Sequence, residues 1–297
     1  MNSELEVRVN GLVDTLISDY GKGRDIDIAE AFIPIDRQEI VKIIDQLRSI
    51  IFPGYFKSAC YRSYTARSRL SMQLEDVMFR LTKQIALALK YLPEYTDKDE
   101  EGLLHRAEEI SLAFFERMPA IRALVQGDLQ AAYEGDPAAF NKPEIIFSYP
   151  GFYAINVNRI AHELYLLGVP MLPRIMTEHA HAQTGIDIHP GATLGKNFFI
   201  DHGTGIVIGE TAVIGNNVKI YQGVTVGALS TRGGQKLSGV KRHPTIEDDV
   251  TVYAGASILG GDTVIGKGSV IGGNAFITCS IAPNSRVTVK GQCEQNV

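Results

Sequence analysis

His202 lies in the run Ile200-Asp201-His202-Gly203-Thr204-Gly205, fifteen residues after Asp187 in Asp187-Ile188-His189-Pro190. A neutral imidazole can take a proton from an alcohol if a carboxylate on its other ring nitrogen fixes the tautomer and raises its basicity. His202 is therefore a candidate general base, and Asp187 its candidate orienting acid. A second pair, Arg242-His243, precedes Pro244. The planar guanidinium offers a fork of donors suited to a carboxylate. Asp136 and Asp201 could hold an ammonium group. An amino acid presents both charges. Plainer roles exist for each: His202 capping a corner, Asp136 before Pro137 opening a turn or helix, Arg242 and His243 ending a solvated loop.

Charge adds a direction. Between Glu210 and Glu247 there is no acidic residue, while Lys219, Arg232, Lys236, Lys241 and Arg242 all fall there, in a chain of net charge -5. A local basic strip suits an anionic ligand carrying phosphates and carboxylates. The overall sign disfavours a general nucleic-acid role. Cys60, Cys279 and Cys293 show neither metal-ligand spacing nor a disulfide framework, which suits a reducing cytoplasm. No apolar run reaches the length of a membrane span, and Met1–Asn10 carries acids where a secretory signal would be apolar.

Two kinds of element must position these residues. From Asp36 to Gln183 apolar residues recur at helical spacing, as in Ile40, Ile43, Ile44 and Leu47 or Leu81, Ile85, Ala88 and Leu89. This predicts six to eight helices, one of them from Gly151 to Gly168. The second half repeats every six residues: Leu194, Ile200, Ile206; then Ile208, Ile214, Ile220, Val226; then Ile246, Val252, Ile258, Val264, Val270, Phe276. Such a period marks a parallel β-helix, each hexapeptide forming one face of a triangular coil with the aliphatic residue inward. The fold class is α+β: helices over 1–185, coil over 186–285 with a loop thrown out at 227–244, and a short tail at 286–297. The flat faces predict a homotrimer or a dimer of trimers.

The run from Asp187 to Pro244 closely resembles the serine acetyltransferases of the hexapeptide-repeat superfamily. The shared pieces are DIHPGATLG, DHGTGIVIGETAVIG, VTVG and RHPTI, with Asp136-Pro137, GFYA at Gly151 and RIAH at Arg159 ahead of them. The resemblance implies a left-handed coil and transfer of acetyl from acetyl-CoA to the hydroxyl of L-serine, the first step of cysteine biosynthesis. It implies that His202 is the general base and Asp187 orients it, that Asp136 and Asp201 hold the ammonium, and that Arg242 and His243 hold the carboxylate. It also implies a supporting role for Glu210 and an acetyl-CoA path between neighbouring subunits lined by Ala228, Ala254 and Gly272. The resemblance further implies direct transfer without a metal and feedback inhibition by L-cysteine. Two other classes share parts of this pattern. One is an acyltransferase for sugars, homoserine or aminoglycosides; the other is a β-helix metalloenzyme using His179, His181, His189 and His202. Three departures stand out: Leu237–Lys241 reads as inserted, Tyr153 stands where the family has a histidine, and the ending SRVTVKGQCEQNV lacks the family's tail. The last makes a stable complex with the sulfhydrylase doubtful.

Overall fold

The helical spacing of the first half is realised as eight α-helices in a computed structural model that describes residues 3–27, 35–56, 65–95 and 98–289. They are α1 (Ser3–Tyr20), α2 (Arg37–Ile51), α3 (Ala66–Leu89), α4 (Glu100–Glu116), α5 (Met118–Gly135), α6 (Lys142–Ser148), α7 (Pro150–Leu166) and α8 (Leu172–Thr184). The chain forms two compact units, residues 1–35 and 36–297, so α2–α8 share one unit with the coil. Side chains able to accept from free N–H groups start several helices: Asp36 accepts from Gln38 and Glu39, Asp99 from Gly102, and Asn141 from Glu144. Helix α7 is buried nearly all round, Asn156, Asn158 and Arg159 included. Phe152, Ala154, Ile155, Val157, Ile160, Ala161 and Leu164 are all buried, as a helix at the centre of a domain must be.

Fourteen short strands follow, paired in parallel. Face A holds β1 (Asp187–Ile188), β4 (Val207–Ile208), β7 (Thr225–Gly227), β10 (Ser257–Leu259) and β13 (Phe276–Ile277). Face B holds β2 (Thr193–Leu194), β5 (Val213–Ile214), β8 (Thr245–Ile246) and β11 (Val264–Ile265). Face C holds β3 (Phe199–Asp201), β6 (Lys219–Tyr221), β9 (Thr251–Val252), β12 (Val270–Ile271) and β14 (Arg286–Val287). The coil thus runs on through Val287, where Arg286 pairs with Val270. Each repeat sends two residues inward, one on the strand and a second two positions earlier at the corner, such as Leu194 with Ala192 or Ile214 with Ala212.

Register shows where the period breaks. Asp187 pairs with Val207, Val207 with Thr225, Thr225 with Ser257 and Ser257 with Phe276, giving steps of 20, 18, 32 and 19 residues. The first coil carries two extra residues, which fall at the corner after Asp201. Ile206 and Ile208 are therefore both inward, as corner and strand residue of one repeat. The long third step contains the extruded loop, which includes a 3-10 turn at Gly234–Leu237. The 19-residue step corrects the sequence reading. Val264, Val270 and Phe276 were expected inward; Ile265, Ile271 and Ile277 occupy those places, and Phe276 is 72% exposed against 5% for Ile277. One extra residue enters at the corner after Leu259, where Gly260 takes φ +103°, and a one-residue shift turns every following side chain to the opposite face.

The helices meet the coil closely. A Cβ at Gly151 would lie 2.6 Å from the Ile200 carbonyl, and one at Gly135 would lie 2.6 Å from the Phe199 ring. Arg159 of α7 makes the polar joint. Its Nε and Nη2 donate to the two oxygens of Asp128 at 3.0 and 2.9 Å, and Nη1 and Nη2 also donate to the Leu194 and Gly195 carbonyls. Asp128 Oδ1 accepts the Phe198 N–H at 2.9 Å. Burial pushes the Asp128 carboxyl up, and Arg159 and the Phe198 N–H oppose that push.

Candidate active site

The predicted residues gather on two edges of the triangular coil. The edge from face C to face A carries the widened corner. There His202 takes φ 59°, a left-handed conformation, with its side chain 73% exposed. The two extra residues let the chain bulge and turn the imidazole outward. Asp201 ends β3 beside it, with Oδ1 3.9 Å from His202 Nε2 and Oδ2 3.2 Å from Lys219 Nζ. Asp136, capping the end of α5, joins this group. Its Oδ2 accepts from the Tyr149 hydroxyl at 2.6 Å and its Oδ1 from the Ala138 N–H at 2.8 Å. The Tyr149 bond, the Ala138 bond and nearby Lys219 and His202 together hold the Asp136 carboxyl below the usual range. The same bond to Asp136 is the main reason the Tyr149 phenol is pushed up to about 12. An ionised, pinned carboxylate beside an exposed imidazole is suited to meet a cation next to a hydroxyl.

Asp187 begins β1 on the same edge, yet no hydrogen bond joins it to His202 within the chain. Its Oδ1 lies 3.8 Å from Arg174 Nη1, and Arg174 Nη2 lies 2.5 Å from Glu178 Oε1. Glu178, His181 and Asp187 offer ligand atoms within 4.8 Å of one another, and among the described residues no other such group occurs. Arg174 already sits against both carboxylates and supplies positive charge there. Of the four histidines of the metal reading, only His181 enters this group.

The edge from face A to face B holds the second set. The Arg242 guanidinium forms an ion pair through Nη2 with Glu210 Oε2, and Nη1 donates to the Leu237 carbonyl at 3.2 Å. Glu210 Oε1 accepts from the Tyr165 hydroxyl at 3.2 Å. Although burial pushes the Glu210 carboxyl up, Arg242 outweighs it and the net shift is downward. His243 is buried beneath Gly209, where an added Cβ would come within 2.1 Å of the ring. Its Nδ1 accepts the Thr211 N–H at 3.0 Å, which places the ring proton on Nε2. Burial, reinforced by Arg242, depresses its pKa to about 4, so the ring is neutral at ordinary pH. Ala254 and Gly272 lie on the His202 edge, whereas Ala228 opens the loop on the Arg242 edge. The smallness of Gly272 also serves the coil, since a Cβ there would meet the Val287 carbonyl at 2.8 Å.

The basic strip is mostly spent within the chain. Lys219 pairs with Asp201, Arg242 with Glu210, and Lys241 Nζ donates to the Thr211 and Pro244 carbonyls at 2.7 and 3.2 Å. Exposed Arg232 and Lys236 remain to meet an anion. Sequence reasoning missed Tyr149, Tyr165 and Thr211, because their roles depend on helices and corners brought together from distant stretches. Lys219 was visible only as part of a basic strip. Cys60, Cys293 and the tail from 290 onward lie outside the described residues.

No protein-family model matches the chain. It is 44% identical over 233 residues to a plasmid-borne serine acetyltransferase of Synechococcus elongatus, covering 76% of this chain and 73% of that one. The chain belongs to the serine acetyltransferase family. Solved structures agree. Serine acetyltransferase isoform 3 of Entamoeba histolytica, in complex with cysteine, superposes with a TM-score of 0.73 at 35% identity, over 96% of this chain and 92% of that one. The Neisseria gonorrhoeae enzyme in complex with serine gives a TM-score of 0.55 at 30% identity, over 84% and 95%. The coil is the left-handed parallel β-helix of these acyltransferases. Among the described residues no helix is long and apolar enough to cross a membrane.

Proposed function

We propose that the chain transfers an acetyl group from acetyl-CoA directly to the hydroxyl of L-serine. The observation that carries this reading is the acid pair. Asp201 of the coil lies 3.9 Å from an outward His202 on a corner enlarged by two residues, and Asp136, at the end of a helix, is near enough to His202 and Lys219 for their charge to lower its pKa. The carboxylates receive the serine ammonium and set the hydroxyl against His202. His202 takes the hydroxyl proton as the oxygen attacks the thioester carbon. The tetrahedral adduct expels the CoA sulfur, which recovers that proton. A neutral His243 donating from Nε2, together with the donors of Arg242 not held by Glu210 and the loop, is suited to the serine carboxylate.

Each edge of one chain bears half of this set. A homotrimer that lays the His202 edge of one protomer against the Arg242 edge of the next completes it. Such packing also places Ala254 and Gly272 opposite Ala228 and the exposed Arg232 and Lys236, which suit the phosphates of CoA. Asp187 would then leave Arg174 to orient His202. L-cysteine shares the ammonium and carboxylate of serine and fits the same pocket as a competitor.

Thiol release from acetyl-CoA, measured against L-serine, L-homoserine, L-threonine and a set of sugars, tests the reading. Serine is expected to be the preferred acceptor, and His202→Ala to lower turnover by about 10²–10⁴-fold. Preference for another acceptor, or near-full activity of the variant, would overturn it.

A further inference from the structure

Lys219 places a third charge beside the acids proposed to hold the serine ammonium. It sits on β6, paired with Phe199 two residues before Asp201 on β3, and its Nζ reaches Asp201 and the residue before Asp136. It donates to the Gly135 carbonyl at 2.8 Å and lies 3.2 Å from Asp201 Oδ2. Gly135 is the last residue of α5 and directly precedes Asp136. Carbonyls in the last turn of a helix lack intrahelical partners and carry partial negative charge, so an ammonium there is well matched. The rings of Phe199 and Tyr221 flank the ammonium, with centroids 4.8 and 4.7 Å away. These rings restrict where the flexible lysine stem can go and shield its contacts from water.

The two carboxylates are thus pinned in different ways. Asp136 is held by Tyr149 and the Ala138 N–H, and Asp201 is held on one oxygen by Lys219. Asp201 Oδ1, the oxygen nearer His202, makes no bond to Lys219. Without a cation between them, two carboxylates and a helix C-terminus would face one another with like charge.

We propose that Lys219 is the positioning residue of the ammonium pocket. It ties the end of α5 to β3, fixing the gap between Asp136 and Asp201 at the width that accepts a primary ammonium. This rests on the assignment of those two acids to the serine ammonium. Lys219 touches neither the hydroxyl nor the thioester, so its effect falls on serine binding rather than on the chemical step.

The test compares Lys219→Met, Lys219→Gln and Lys219→Arg with the wild type. Kinetics are followed with both substrates, and L-serine binding is measured by calorimetry without acetyl-CoA. Loss of a charge-assisted contact predicts that the neutral variants raise the serine KM and weaken serine binding by about tenfold or more. The acetyl-CoA KM is expected to stay within about twofold and kcat within about threefold, with Lys219→Arg recovering most of the serine affinity. If Lys219→Met fails to fold, Lys219→Gln carries the same expectation. Unchanged or tighter serine binding in a folded neutral variant, or equal rises in both KM values, overturns the proposal. Wild-type protein that binds no serine would remove the acid-pair assignment and this proposal together. Wild-type binding matched by the neutral variants removes this proposal alone.

Discussion

Acidification should weaken this fold through His243, and the size of the effect follows from its surroundings. The ring is buried under Gly209, with Nδ1 committed to the Thr211 N–H. Burial is the largest reason that its pKa falls from 6.5 to about 4, and Arg242 adds to it. A depressed histidine pKa means that the unfolded chain takes up the proton first. The stability contributed by the neutral ring is complete above 6.5, declines as pH falls, and is lost by about 4. At 1.36 kcal/mol per pH unit this amounts to about 3 kcal/mol. Urea unfolding at fixed protomer concentration, from pH 7.5 to 4.5, measures it. The control is His243→Asn, whose amide oxygen can accept from Thr211 and does not titrate. The variant should start less stable and lose about 2–3 kcal/mol less than the wild type over that range. Parallel curves for the two proteins would refute the reasoning and place the acid sensitivity in other groups.

Two further outcomes follow from the fold. Arg159→Met leaves Asp128 buried without its partner and frees the Leu194 and Gly195 carbonyls, so it should cost about 3–5 kcal/mol in urea unfolding; the double change with Asp128→Leu should recover much of the loss. If the coil shifts by one residue at Gly260, Ile277→Ala should cost about 2–4 kcal/mol in the same assay, while Phe276→Ala should fall within about 0.5 kcal/mol in the isolated protomer.

The sequence period was enough to find the coil because an inward aliphatic must recur wherever a face repeats. It could not reveal that Val264 and Ile265 exchange roles. Both are β-branched and adjacent, and only the corner at Gly260 decides which points inward. His202 and Arg242 were legible because short motifs surround them. The link from Lys219 to Gly135 spans 84 residues and joins a strand to a helix end, so no local pattern announces it. The supposed Asp187–His202 pair shows the reverse. Fifteen residues of spacing put both on one edge, but within a single chain Arg174 is nearer to Asp187 than any base. Edge position follows from periodicity; side-chain partners depend on what else packs against the edge.

The central claim is that His202 of one protomer and Arg242 of its neighbour serve one serine-acetylating site. Mixing equal amounts of His202→Ala and Arg242→Ala protomers and allowing them to reassemble, then assaying at a serine concentration that saturates the wild type but not the Arg242→Ala protein, tests it directly. Random assembly into trimers leaves one site in four with both residues intact, so the mixture should regain about a quarter of wild-type turnover. A mixture no more active than its parents would place both residues in the same protomer's site and contradict the account.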